Sequence, residues 1–554
     1  MPLHADIASA LDRNGAFPEG GPVERRETHI STVFLTREHA WKLLKPVRFD
    51  FLDFSTREAR YVECWNEVLL NRRLAPDVYL GVVPLHADSV GSVRVAGSGT
   101  PVDWLILMRR LPSDATLEAR IAAGTASTAD IDRILDVLCP FFARAATNPQ
   151  IAADGLPRVV HRNVSENLNV LAAHVGNGTR DSVDDGRPIG AEQIDRLRSM
   201  QLQFVAVREP LLESRIDAGR VRELHGDLKP EHCYLGQWTV DSGQWVEEKS
   251  SVRDYPLSTI HYPLSPVIID CIAFNRRFRH VDTLDEVCFL AVELSHLDRD
   301  DLAKHLFREY RRRTGDDASD ELAAFFQSYR LTVRAKVACL AADGEEDGTE
   351  RDRRLRAAAS YVDDALERLR PHHRPRLIAV FGLSGTGKST VARALAERIG
   401  ATHLSSDEIR KRIHGLPIHR RGPADIYTSE ANSRTYAALL DAARDRLRQG
   451  TSVIVDATFR RRMDRERLIS VAKKAGVSPL FVECRCDSAV ARRRIEKRNE
   501  KGIDASDADV AIHEAQSRSH EAPAEIPSNI LLCIDTERPL EDSIGQIVTA
   551  LRVV

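Results

Sequence analysis

The chain has no CxxC pair and no spaced set of cysteines and histidines, although nine cysteines occur among its 554 residues. That excludes a disulfide framework and a ribbon-type zinc site. Cysteines inside apolar runs such as VIIDCIAF and LLCID read as reduced, buried and structural. No apolar run approaches the roughly 18 residues that a membrane helix requires. The opening residues, MPLHADIASALDRNGAFPEG, lack a basic region followed by an apolar stretch. The expectation is a soluble, cytoplasmic protein without a membrane partner. Internal repeats are absent, glycine (30) and proline (25) are thinly spread, and 43% of residues are hydrophobic against 29% charged, which excludes disordered, collagen-like and low-complexity classes.

Neither sign of charge dominates, and the net charge is −3. The distribution is uneven: residues 374–554 hold 31 basic and 24 acidic residues, and the remainder holds 48 and 58. The basic excess reads as an arginine-rich face around a nucleotide site, with a nucleic-acid surface as the less favoured alternative. A chain of this length exceeds one hydrophobic core, so two to four domains are expected. AADGEEDGTE (341–350), then a helical run, then the proline-bounded PHHRP (371–375) mark a boundary near residue 372. A weaker break lies at VGNGTRDSVDDGRPIG (175–190), which reads as an exposed loop. The expected division is therefore 1–340, a helical connector at 341–373, and 374–554.

Past the boundary, the apolar run RLIAVFG leads into LSGTGKS and then into TVARALAERIG, whose apolar positions have helical spacing and which ends at Gly400 as a C-cap. Further apolar runs, TSVIVDAT, PLFVECRC and NILLCIDT, alternate with amphipathic stretches, the pattern of a parallel sheet covered on both faces. Gly382 to Ser389 matches GxxxxGK[ST] in full, after a strand and at the opening of a helix. In such a loop the backbone N–H groups of Gly382, Ser384, Gly385, Thr386 and Gly387 cradle phosphates. Lys388 meets the terminal phosphate oxygens, and Ser389, followed by Thr390, meets Mg²⁺. ATP and Mg²⁺ are the expected cofactors.

A kinase needs, in addition, a proton acceptor and positive charge over the transferring group. Asp407 in SSDEIRK follows a short β-like run, where it either accepts a hydroxyl proton or caps the helix that follows. Arg410 lies one turn on. Asp456 ends VIVDAT, the place of a Mg²⁺-organising carboxylate. Arg494 and Arg498 share a helix face at i, i+4, as a phosphate-clamping lid or as an ordinary basic face. These features resemble the small-molecule and polynucleotide 5′-kinase branch of P-loop kinases, including gluconate kinase-like and zeta-toxin-like enzymes.

A second set lies upstream. LHGDLKPEH (224–232) precedes VIIDCIAFN, and HAWKLLKPV and CWNEVLLNRRL precede both. This region resembles the aminoglycoside phosphotransferase-like kinases, whose loop reads HGDxxxxN. The resemblance implies Asp227 as catalytic base, Asp270 as metal ligand, Lys42 as the phosphate lysine and Glu67 as its ion-pair partner, with Lys45 and Glu63 as rivals. It also implies that WLILMRRLP (104–112), with Met108, lines an adenine pocket, and that THISTV (28–33) forms the hairpin over the phosphates. Two departures stand out. His232 occupies the place of the metal-binding asparagine, and an insertion from about Gly236 to Pro266 puts Asp270 43 residues after Asp227. His225 reads as a brace of the loop.

The whole chain resembles bacterial two-domain proteins that join an aminoglycoside phosphotransferase-like kinase to a P-loop domain. The implied fold is α/β and α+β, a protein-kinase-like bilobal fold followed by a P-loop NTPase parallel sheet. The implied activity is ATP-dependent transfer of phosphate to a small hydroxylated molecule, of sugar or aminocyclitol type, from two nucleotide sites. The alternatives are a P-loop kinase regulated by an N-terminal pseudokinase-like sensor, and a nucleic-acid 5′-end kinase.

Overall fold

The computed structural model describes residues 4–12, 16–49, 52–87, 93–95, 101–175, 189–238, 245–246, 266–501 and 506–553. The chain divides into two compact units, each assembled from two separate segments. The first comprises Met1–Gly155 and Arg215–Gln327, the second Leu156–Ser214 and Ser328–Val554. This partition cuts across the linear limits expected at residues 340 and 373. Most of the loop expected at 175–190 and most of the insertion at 236–266 lie outside the described residues.

In the first unit, β1 (Glu24–Glu27), β2 (Ser31–Leu35), β3 (His39–Leu44), β4 (Tyr79–Ala87), β5 (Val93–Val95) and β6 (Pro101–Arg109) form one antiparallel sheet in the order β1-β2-β3-β6-β4-β5. Side chains alternate faces along a strand, and β3 shows the consequence. Trp41 and Leu43 join the core beneath the N-terminal helix His4–Leu11, whereas Ala40 and Leu44 join the core that includes Cys64 and Val68 of α1 (Arg57–Asn71). Lys42 shares this second face. Thr56 caps α1, its hydroxyl accepting from the Ala59 N–H at 3.1 Å. The inward stripe of α1 is Glu63, Cys64, Glu67, Val68 and Asn71, at helical spacing. Later in the unit, Val221–Glu223 pairs with His280–Asp282 and Cys233–Tyr234 pairs with Val267–Ile268, both antiparallel. These two short ladders hold the segments that carry Asp227 and Asp270.

The second unit contains α2 (Pro157–Ala173), α3 (Ala191–Val207) and α4 (Gly348–Leu369) ahead of an alternating β/α series. That series runs β7 (Leu377–Phe381), α5 (Lys388–Ile399), β8 (Thr402–Ser405), α6 (Ser406–Ile413), α7 (Ser429–Arg448), β9 (Val453–Asp456), α8 (Arg462–Ala475), β10 (Pro479–Arg485), α9 (Ser488–Lys501), α10 (Val510–Arg518), β11 (Leu531–Asp535) and α11 (Leu540–Leu551). The sheet is parallel throughout, ordered β8-β9-β7-β10-β11. Every residue of β7 and β9 is buried, as expected where helices cover both faces. One face packs on α7 and α8 through Leu439, Ala443 and Leu468, and the other on α5 and α11 through Val391, Leu395 and Ile547.

The second face also receives Ala206 and Val207 of α3, which explains why residues 156–214 group with the C-terminal domain. Polar contacts reinforce this docking: the Ser452 N–H donates to Ser199 Oγ at 3.0 Å, and Gln203 Nε2 donates to the Arg374 carbonyl at 2.9 Å. All nine cysteines are free, and six are buried. Cys533 departs from the expected burial because β11 is an edge strand with one side toward solvent. Among the described residues no helix is long and apolar enough to cross a membrane.

Candidate functional site

In the second unit the loop from Gly382 to Gly387 links β7 to α5. Gly385 has φ 86°, and a Cβ there would meet the Ala491 carbonyl oxygen at 2.7 Å, so only glycine fits the loop against α9. The Thr386 hydroxyl donates to the Leu383 carbonyl at 2.9 Å, and Lys388 Nζ donates to the same oxygen at 2.8 Å. The lysine thus sits over the loop with a single backbone acceptor. Ser384, Gly385, Gly387, Lys388, Ser389 and Thr390 line a cavity of about 670 Å³. Asp407, Asp456, Arg494 and Arg498 line the same cavity, so residues singled out between Ser384 and Arg498 converge on one space.

Asp456 is buried at the C-terminal end of β9. Burial raises its carboxyl, but hydrogen bonds from His403 and Ser389 and the charge of Lys388 outweigh it, and the group lies below the usual carboxylate range. Asp407 behaves in the opposite sense: enclosure and the neighbouring Asp456 carboxylate push it up, against Ser506, Lys388 and Arg410. Two carboxylates in one cavity are therefore split, one held ionised and one made more basic. Asp407 is not the helix cap. Ser405 is the N-cap of α6 and Asp407 lies in its first turn. Arg494 donates to Thr536 Oγ1 at 3.1 Å and to the Thr536 carbonyl at 2.8 Å, and Arg498 donates to the Ala508 carbonyl at 2.7 Å. The Ser389 hydroxyl and the Asp456 carboxylate are hard oxygen donors in contact, a pair that fits Mg²⁺ held jointly with phosphate.

Several residues of this site escaped the motif reading. The Ser384 N–H donates to Gln516 Oε1 at 2.9 Å, and His513 Nδ1 lies 2.8 Å from the Ser384 carbonyl oxygen, so α10 pins the loop. Asp507 gathers the buried Lys411 ammonium at 2.9 Å, the Tyr427 hydroxyl at 2.7 Å and the Gly422 N–H at 2.8 Å. None of these has a local sequence signature, because each partner lies 80 or more residues away.

In the first unit, Lys42 Nζ lies 2.7 Å from Glu67 Oε1 and 3.3 Å from Asp270 Oδ1. The rival Lys45 instead pairs with Glu27 at 2.7 Å. Burial lowers the Lys42 ammonium, but the Glu67 and Asp270 carboxylates more than offset it and hold the lysine protonated. Burial raises Asp270, and the positive charge of Lys42 and the neighbouring His232 and Lys229 outweigh it, leaving the carboxyl well below the usual range. Asp270 has φ 64°, and its N–H donates to the Tyr79 hydroxyl at 3.2 Å. The adjacent Cys271 N–H donates to Asn71 Oδ1 at 2.9 Å. Met108 is buried in the core beside Tyr79 and Ala40. The candidate hairpin is formed by β1 and β2, with the Thr28 N–H donating to the Ser31 carbonyl at 2.9 Å.

Asp227 lies 3.0 Å from Lys229 Nζ, a neighbour that the sequence reading did not single out. Burial raises the Asp227 carboxyl, and Lys229 and His232 reverse that and lower it. His225 Nε2 lies 2.8 Å from the Ile269 carbonyl oxygen, a structural brace, and the Gly226 N–H donates to Glu286 at 3.0 Å. His232 Nδ1 lies 2.9 Å from the Asp227 carbonyl oxygen, and its Nε2 lies 3.6 Å from Asp270 Oδ2. Among the described residues no group of three or more His, Cys, Asp or Glu side chains is arranged to hold a metal ion. Asp270, with His232 at 3.6 Å, is therefore not part of a preformed cage, and a hard cation here would need phosphate oxygens as further ligands.

Over 533 residues the chain is 32% identical to the uncharacterized protein Rv2004c of Mycobacterium tuberculosis, covering 95% of this chain and 94% of that protein. The chain belongs to the Rv2004c family. Mb2027c of Mycobacterium bovis, a second member, matches at the same identity and coverage. A protein-family model described as AAA domain matches residues 377–523 of this member, the stretch that holds the P-loop. Among solved structures, a gluconokinase from Sinorhizobium meliloti is 22% identical with a TM-score of 0.25, over 33% of this chain and 94% of that one. The APS kinase CysC of Mycobacterium tuberculosis, in complex with AMPPNP and APS, is 20% identical with a TM-score of 0.25, over 32% of this chain and 98% of that one. At such scores the chemistry of the site in this family member has to be judged from its own residues.

Proposed function

We propose that the chain is an ATP-dependent kinase whose P-loop site transfers a phosphoryl group to a hydroxyl of a small molecule. One observation carries the reading: a single cavity gathers Lys388, Ser389, Asp456, Asp407, Arg494 and Arg498. A magnesium nucleotide, when bound, supplies the phosphoryl group and a cation that neutralises its oxygens. Asp456 and Ser389 would hold the ion, while Lys388 and the two arginines carry positive charge toward the transferring group. Asp407, made more basic by its surroundings, takes the proton of the attacking hydroxyl. The new O–P bond forms as the bond to the departing diphosphate breaks, giving ADP and a phosphate ester.

The first unit supports a second nucleotide site through the Lys42–Glu67–Asp270 chain. In this reading Lys42 orients phosphates, Asp270 holds the ion, Asp227 takes the acceptor proton, and Met108 borders the adenine. A second reading is favoured by His232, which lies between Asp227 and Asp270 where the loop that this segment resembles has an asparagine. In that case the first unit binds nucleotide without transferring phosphate and regulates the P-loop domain. Calorimetry of the full chain with Mg²⁺ and a non-hydrolysable ATP analogue tests the two-site proposal. Two equivalents are expected for the wild type, and one each for Lys388→Ala and Lys42→Met. A wild-type stoichiometry of one overturns it. Loss of acceptor-dependent ADP release in Asp227→Asn separates an active first unit from a sensing one.

A further inference from the structure

The cavity over the P-loop extends beyond the part that phosphates of a nucleotide require. Its continuation is built by the loop after β9 and the first turns of α8, where Arg460, Arg461, Asp464 and Arg467 line it, with Arg410 of α6 alongside. Around the whole cavity nine basic side chains face four carboxylates. Lys388, Arg494 and Arg498 answer a triphosphate, and Asp407 and Asp456 are occupied at the transfer end. The remaining excess of positive charge lies elsewhere in the cavity.

Arg410 is the informative member of that excess. It is 6% exposed, and among the described residues no carboxylate forms an ion pair with it. Its Nη1 donates to the Ile426 carbonyl at 3.0 Å, its guanidinium lies 4.9 Å from the centre of the Tyr427 ring, and among the described residues its Nε has no hydrogen-bond partner. The Asp407 carboxylate attracts this guanidinium through space without an ion-pair contact, and a guanidinium taken out of water with no such contact stays unfavourable until an anion arrives to meet it. Tyr436 connects this group to the α8 end: its ring hydroxyl lies 3.2 Å from Thr458 Oγ1, and it feels both the Asp464 charge and that of Arg410. At that end Arg467 reaches Asp464 only at 3.9 Å, and Arg460 donates to the Ser519 hydroxyl at 2.7 Å. Arg461 is exposed at the N-cap of α8 and makes no ion pair among the described residues. One carboxylate, Asp464, therefore faces three arginines there.

We propose that the acceptor of the P-loop site carries an oxyanion, a carboxylate or a phosphate, in addition to the hydroxyl that is phosphorylated. Arg410, Arg461 and Arg467 are the residues that recognise it. This rests on the kinase reading of the same cavity and replaces a neutral or cationic acceptor by an anionic one. The cavity volume of about 670 Å³ accommodates a small molecule together with nucleotide phosphates and favours it over a polymer.

The test uses the full chain saturated with Mg²⁺ and a non-hydrolysable ATP analogue, titrated in a calorimeter with inorganic phosphate and, separately, with acetate at constant ionic strength. The expected result is one equivalent of at least one anion, with the tighter of the two identifying the oxyanion. The Arg461→Gln/Arg467→Gln double variant, both positions being exposed, should bind that anion at least tenfold more weakly with analogue affinity unchanged within about twofold. Arg410→Lys, which keeps the charge but not the planar fork, should also weaken it. Anion binding that is absent from the nucleotide-loaded protein, or equal in wild type and the double variant, overturns the proposal. So does tighter binding of a short single-stranded oligonucleotide with a steep loss on adding salt. Failure of the kinase reading is recognised separately, because the analogue itself then does not bind.

Discussion

At the scale of single residues, neighbouring carboxylates on one helix face are assigned different duties by what reaches them. Glu67 meets the Lys42 ammonium, whereas Glu63, one turn earlier, makes no ion pair among the described residues and accepts from Asn66 Nδ2 at 3.3 Å. Burial, with the Glu67 charge behind it, pushes the Glu63 carboxyl up to about 7. A carboxyl that holds its proton more tightly in the folded chain contributes stability that is complete below its ordinary value of 4.5 and is lost as pH rises through 7. Glu63→Gln should therefore leave thermal stability unchanged at pH 4 and raise it by about 2 kcal/mol at pH 8, measured by unfolding of the full chain at both pH values. An equal effect at the two pH values would refute the assignment. The sequence alone left Glu63 and Glu67 as rivals, because both occupy the inward stripe of α1. The choice between them depends on where β3 presents Lys42, which is a matter of strand register.

At the scale of elements, the P-loop was legible because its requirements are local: a strand end, glycines that admit positive φ, and a helix N-terminus. The element that steadies it was not. Helix α10 reaches the Ser384 backbone through Gln516 and His513 from more than 125 residues away. Removing one such hydrogen bond costs about 1 kcal/mol. Gln516→Ala should thus weaken nucleotide binding about three- to tenfold while leaving the melting temperature of the nucleotide-free protein within a degree or two. Unchanged affinity in a calorimetric titration would show that α10 does not position the loop. Gly400 illustrates a signal that was half legible. Its place after α5 marked it as a C-cap, and it has φ 64°. The second reason for glycine is tertiary, since a Cβ there would lie 2.5 Å from the Arg198 carbonyl oxygen of α3. Gly400→Ala should destabilise the chain by about 2–3 kcal/mol in chemical denaturation, more than the left-handed backbone alone accounts for. A loss under about 1 kcal/mol would mean that α3 does not approach so closely.

At the scale of the whole molecule, the P-loop domain is completed by a segment that precedes its first strand by 170 residues. Ala206 and Val207 fill a core face that otherwise consists of strand and helix residues after 377, and Gln203 holds the Arg374 carbonyl. A fragment of residues 374–554 should accordingly expose that face. It is expected to bind a hydrophobic dye and to melt well below the full chain, by about 5 °C or more for the loss of two buried apolar side chains and their polar neighbours. A fragment as stable as the full chain would show that α3 is dispensable. The linear reading placed a boundary near residue 372 because proline and a composition shift interrupt the chain there. Such signals report where the backbone turns, and they are silent about which earlier helix returns to cover an open face.

What the amino-acid sequence determined by itself was whatever neighbouring residues enforce: the alternation of strand and helix, the phosphate loop, the order of HGD and the later aspartate, and the absence of a long apolar helix. Only the tertiary structure decided which side chains meet. It paired Lys42 with Glu67 rather than with Glu63, brought Asp407 against Asp456 so that their basicities diverge, and enclosed Arg410 with no carboxylate in ion-pair contact among the described residues. The reason is physical. Backbone conformation is set by steric limits and hydrogen bonds a few residues apart, whereas charge, burial and proton affinity at a site depend on groups that approach through space from distant parts of the chain.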